Sequence, residues 1–79
     1  MELIYVVLDH QELGGLLTVT KDVEKAVNIF TKNRTYLEVW TDSELLFECG
    51  CTHENDVYRC FKYNKEVYDV LRGYLKMKI

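Results

Sequence analysis

Apolar side chains crowd the start of the chain, where Leu3 to Leu8 form an unbroken run closed by Asp9. The run is rich in β-branched and aromatic residues and too short for a helix, so it predicts a strand over Leu3 to Asp9. After the polar cluster Asp9 to Glu12, Gly14-Gly15 predicts a turn, because glycine enters positive φ without steric cost. Leu16 to Thr20 then resumes an extended apolar pattern and completes a hairpin. Val23, Ala26, Val27 and Phe30 follow at the spacing that gathers side chains on one helical face. Thr20 or Asp22 caps this helix, Asp22 and Glu24 occupy its first turn, and Lys32 and Arg34 lie near its end, as the helix dipole favours. Asn33 is its expected C-terminal stop.

Tyr36 to Thr41 alternates, Asp42-Ser43 is turn chemistry, and Leu45 to Cys51 is extended again, which predicts a second hairpin. With a loop of Asp42, Ser43 and Glu44, the residues Leu37, Val39, Leu45, Phe47 and Cys49 share the face that packs on the helix. Tyr36, Glu38, Trp40, Leu46 and Glu48 then share the other. A two-residue turn would place Glu38 beside Phe47 and leave neither face clean. Asn64 caps a final helix with Val67, Val70, Leu71, Tyr74 and Leu75 on one face, although Gly73 weakens it. Val57 to Tyr63 has the aromatic and β-branched content of a further strand, which favours strand then helix, with one long helix from about Asn55 as the competing reading of the same spacing. The fold class is α+β, a small, mostly antiparallel sheet with two helices in the order β-β-α-β-β-(β)-α, read as a single domain over residues 1–79.

Residues 2 to 45 carry Ile4-Tyr5-Val6-Val7, the helical Glu24-Lys25-Ala26-Val27 and Tyr36-Leu37-Glu38-Val39-Trp40. This half of the chain resembles short β-β-α-β accessory proteins of bacteriophages and Gram-positive bacteria. The resemblance implies a phage or mobile-element protein that inhibits host enzymes or host defence complexes. The segment after Glu48 departs from that pattern.

The hydrophobic share of 48% and charged share of 29% are those of an ordinary globular chain. The six-residue apolar start lacks the basic lead and cleavage site of a signal peptide, and no stretch is long enough to span a bilayer. An odd count of three cysteines lacks the framework of a secreted disulfide scaffold, so a reducing cytoplasm is expected and no membrane association. The net charge of −3 hides an asymmetry: residues 35 to 58 hold six acids and no Lys or Arg, whereas residues 59 to 79 hold six bases against two acids.

Cys49, Cys51, His53 and Cys60 offer four possible zinc ligands. Their spacing argues against it, since Cys-x-Cys in a strand sets both thiols on one face about 7 Å apart along the backbone. Core packing is the expected role of these cysteines, with zinc as the alternative. Cys49 and Cys51 sit in the segment without positive charge, unfavourable for a thiolate nucleophile. No glycine-rich phosphate loop or paired metal-binding histidines are present, so neither catalysis nor a cofactor is expected.

The acidic middle carries the favoured site. Tyr36, Glu38, Trp40, Asp42, Glu44, Leu46 and Glu48 combine aromatic anchors with carboxylates that steer a basic partner, which predicts a protein-binding face able to imitate nucleic-acid phosphates. The competing reading is a solvated surface, with Trp40 covered by the C-terminal helix. A second site class rests on Arg59, Lys62, Lys65, Arg72 and Lys76, interleaved with Tyr63, Tyr68 and Tyr74, as in direct nucleic-acid binding. The opposed charges of middle and tail also allow a homodimer.

Overall fold

The computed structural model describes residues 2–9, 15–33, 35–51 and 58–75. Five strands and two helices follow one another as β1 (Ile4–Asp9), β2 (Gly15–Thr20), α1 (Val23–Asn33), β3 (Tyr36–Trp40), β4 (Leu45–Cys51), β5 (Tyr58–Lys62) and α2 (Lys65–Leu71). The strands form one sheet in the order β2-β1-β3-β4-β5, every neighbouring pair antiparallel. This is the α+β architecture and element order expected from the sequence. The turn expected around Gly14 lies outside the described residues, apart from Gly15, which opens β2.

Alternation along the strands sorts the sheet into two faces. Tyr5 and Val7 of β1, Leu37 and Val39 of β3, and Phe47 and Cys49 of β4 point inward and are buried. Register brings these into rows, with Tyr5 opposite Val39, Val39 opposite Phe47, Val7 opposite Leu37 and Leu37 opposite Cys49. Ala26, Val27 and Phe30 of α1, together with Val67, Leu71 and Leu75 from the α2 region, complete the same core cluster. Both helices therefore cover one face of the sheet.

Local chemistry fixes the ends of α1. The Asp22 carboxylate accepts from the Glu24 and Lys25 amides at 3.0 and 3.3 Å, while the Thr20 hydroxyl accepts from the Asp22 amide at 3.1 Å. Both predicted capping residues thus act, one on the helix and one on the cap. Glu24 in the first turn and Lys32 in the last complement the dipole. No helix among the described residues is long and apolar enough to cross a membrane.

Several expectations need correction. The β3–β4 turn is tighter than a three-residue loop: the Thr41 amide donates to the Glu44 carbonyl at 2.9 Å, leaving Asp42 and Ser43 as the tip. A bulge then takes up the extra residue, so that Trp40 faces Leu45 while Val39 faces Phe47. The bulge preserves the buried row of Leu37, Val39, Phe47 and Cys49 but exchanges its two neighbours: Leu45 pairs with Trp40 instead of joining that row, and Leu46 packs against the core cluster instead of joining Trp40 on the opposite face.

The last third resolves to strand then helix. β5 pairs with β4 through Cys60 opposite Cys49 and Arg59 opposite Gly50, so the single long helix from Asn55 is not formed. α2 is also shorter than its periodicity predicts, ending at Leu71 with Arg72 as C-cap. Val67, Leu71 and Leu75 are buried, but Val70 and Tyr74 are exposed. The Gly73 and Tyr74 amides bond back three residues, to Val70 and Leu71, which is the tightening that closes a helix. Gly73, a poor helix former, stands at this point.

Candidate functional site

The sheet face opposite the helices is built from residues that alternate with the core. β1 contributes Ile4, Val6 and Leu8, β3 contributes Tyr36, Glu38 and Trp40, and β4 contributes Glu48 and Gly50. Register sets Ile4 opposite Trp40, Val6 opposite Glu38, Leu8 opposite Tyr36, Glu38 opposite Glu48 and Tyr36 opposite Gly50. No described helix covers this face, and Trp40 is not beneath α2, which packs on β4 from the other side through Val67 and Leu71.

Within this face, Tyr36 and Phe61 bring their rings to 6.0 Å between centroids, tilted by 50°. Phe61 reaches this position because a bulge in β5 sets Phe61 and Lys62 against the single residue Glu48. Gly50 lies between the rings, and a methyl group there would stand 2.8 and 2.9 Å from Tyr36 and 3.1 Å from Phe61. Together Leu8, Tyr36, Glu38, Glu48 and Phe61 line an open hollow of about 310 Å³. The Glu38 carboxylate accepts from the Trp40 indole Nε1 at 3.0 Å, which holds both side chains in place on the face.

Tyr36, Glu38, Trp40 and Glu48 of the predicted binding set are therefore neighbours. Asp42, Glu44 and Leu46 lie elsewhere, lining a second hollow of about 480 Å³ with Glu2, Thr41 and Ser43 at the turn end of the sheet. There the Lys21 ammonium pairs with Glu2 at 2.8 Å; the pairing holds the Glu2 carboxyl below its ordinary range and Lys21 above its own. Leu8, Gly50 and Phe61 are the site members that sequence reasoning missed. The alternation of β1 carried a signal for Leu8, since it lies on the same side as Val6.

The basic residues of the second site class are spread over two elements. Arg59 and Lys62 lie on β5, Lys65 opens α2 and pairs with Asp69 at 3.4 Å, and Arg72 caps its end. Lys76 lies outside the described residues. Folding also sets part of this basic segment against the acidic one, with Lys62 opposite Glu48.

Cys49 is buried and Cys60 faces it across the β4–β5 pair. Burial pushes the Cys60 thiol above its ordinary value, and its Sγ donates to the Lys62 carbonyl at 3.2 Å. A raised thiol holds less thiolate, the form that attacks or binds metal. His53 lies outside the described residues, as does the side chain of Cys51; among the described residues no three His, Cys, Asp or Glu side chains converge as a metal site would require.

No family model, curated protein or solved structure matches this chain.

Proposed function

We propose that this chain is a non-catalytic protein-binding module that engages its partner through the open sheet face of Tyr36, Glu38, Trp40, Glu48 and Phe61. The observation that carries the reading is the placement of both helices on one side of the sheet, which leaves aromatic rings and two carboxylates together on the other. Aromatic anchors supply most of the energy at protein interfaces, and carboxylates among them select a partner with a basic surface. A surface that normally receives nucleic-acid phosphates is such a partner. The resemblance of residues 2 to 45 to phage accessory proteins supplies the setting, in which the module acts in the host cytoplasm as an inhibitor or adaptor of a host enzyme or defence complex.

The test is affinity capture of the tagged protein from host lysate in moderate salt with nuclease present. The expected result is one protein retained in stoichiometric amount and lost when Glu38 and Glu48 are reversed to lysine. Retention that depends on omitting the nuclease, and that fails when Arg59, Lys62, Lys65 and Arg72 are neutralised, would transfer the function to nucleic-acid binding.

A further inference from the structure

The hollow beside Gly50 has a more specific chemistry than the face around it. Two carboxylates stand directly opposite each other across β3 and β4, an arrangement that costs stability when nothing positive lies between them. Lys62 stands opposite Glu48 on its β5 side, away from Glu38, and neither Lys62 nor Arg59 is among the residues that line the hollow. Its walls are the rings of Tyr36 and Phe61, whose faces attract cations. Glu38 is oriented by the Trp40 indole through one oxygen, which leaves the other to accept from a ligand. The two rings can stand where they do because position 50 has no side chain to meet them. At about 310 Å³ it lies at the small end of ligand sites, room for one side-chain head group rather than a length of polypeptide.

We infer that this hollow receives the guanidinium of an arginine side chain presented by the partner protein. The inference rests on the binding-face reading and names the chemistry that the face selects. Directly opposite residues of an antiparallel pair have Cα atoms roughly 4.5–5.5 Å apart, so two carboxylates so placed can be bridged by one planar fork with donors on several edges. The same plane lies flat on an aromatic ring, which the compact, strongly hydrated ammonium of lysine does not match. Arginine therefore satisfies both halves of the site, the carboxylate pair and the rings.

The probe is capped arginine amide, titrated into the isotope-labelled protein with capped lysine amide and capped citrulline amide as comparators. Chemical shifts at Glu38, Glu48, Gly50, Phe61 and the Trp40 indole N–H report occupancy. Arginine should give saturable shifts at these positions, citrulline none, and lysine binding weaker than arginine. Glu48→Gln should weaken arginine binding about tenfold, the scale of one charge-assisted hydrogen bond. Phe61→Ala, at an exposed position that leaves the core intact, should weaken it as well. Equal shifts with citrulline, equal affinity for lysine, or arginine shifts confined to the turn acids Asp42 and Glu44 would overturn the assignment. Capture that still depends on Glu38 and Glu48 while the titration shows no arginine preference would sink the guanidinium alone. Capture indifferent to the outer face would sink the underlying reading.

Discussion

Glu38 and Glu48 face each other directly across β3 and β4, two like charges at the centre of an open sheet face. Opposed like charges destabilise a strand pair, and Glu48 has Lys62 on its other side whereas Glu38 has Val6. Glu38→Gln should therefore stabilise the fold by about 0.2–1 kcal/mol at low salt, because glutamine keeps an acceptor for the Trp40 indole while removing the repulsion. Both side chains are partly exposed, so the gain should shrink as salt is added. Urea unfolding at two ionic strengths measures it; a loss of stability, or a gain that ignores salt, would refute this account of the pair.

Gly50 keeps the Tyr36 and Phe61 rings in place by having no side chain. Gly50→Ala forces the Tyr36 ring aside and should cost about 1–3 kcal/mol, as overpacking does. In a Tyr36→Ala background the same change should cost clearly less, giving a coupling above about 0.5 kcal/mol in the double-mutant cycle. Additive effects would mean that the two residues do not meet as described.

α2 has only seven residues, too few to be stable alone, and depends on its cap and on Val67 and Leu71 beneath it. The Asn64 side chain accepts from the Val67 amide at 3.1 Å. Asn64→Ala should cost about 0.5–2 kcal/mol, with amide exchange in residues 65–71 accelerating before that in β1 and β3. Uniform acceleration across the sheet would show that α2 does not open separately.

Burial raises the Tyr5 hydroxyl above the ordinary tyrosine value of 10.0, with Tyr74 adding to the effect. A folded-state value above the unfolded one contributes stability that is complete below the unfolded value and is lost as pH rises through the folded one. The protein should therefore lose stability at alkaline pH beginning near the ordinary tyrosine value, with the Cys60 thiol adding a loss that starts lower. Tyr5→Phe should flatten the alkaline limb of denaturation midpoint against pH. An unchanged limb would assign the loss to other groups.

The fold was legible wherever one residue pattern served one purpose. Val23, Ala26, Val27 and Phe30 had helical spacing, charges matched to the dipole and a cap at Asp22, and α1 forms over those residues. Leu37, Val39, Phe47 and Cys49 alternate and are all buried. The bulges at Leu46 and Phe61 left no such mark, because an added residue breaks the alternation that makes strands readable. That is why the faces expected for Leu45 and Leu46 are exchanged and why Phe61 carries no local signal. Val70 and Tyr74 fit the helical spacing but are exposed, since periodicity does not show where α2 stops. The acidic-aromatic half of the site was visible in β3 and β4 alone; Leu8 and Phe61 joined it only through sheet order, which no local pattern encodes.

The central claim, that the sheet face opposite the helices is the binding face, is tested most directly by site-specific photocrosslinking in living cells of the source organism or of the host proposed for it. A photoactivatable phenylalanine analogue is placed at Phe61 on that face and, separately, at Val70 on the exposed side of α2. A discrete protein adduct from position 61, absent from position 70 and lost when Glu38 and Glu48 are reversed, is the predicted result. An adduct formed only from position 70, or one that is nucleic acid instead of protein, would contradict it.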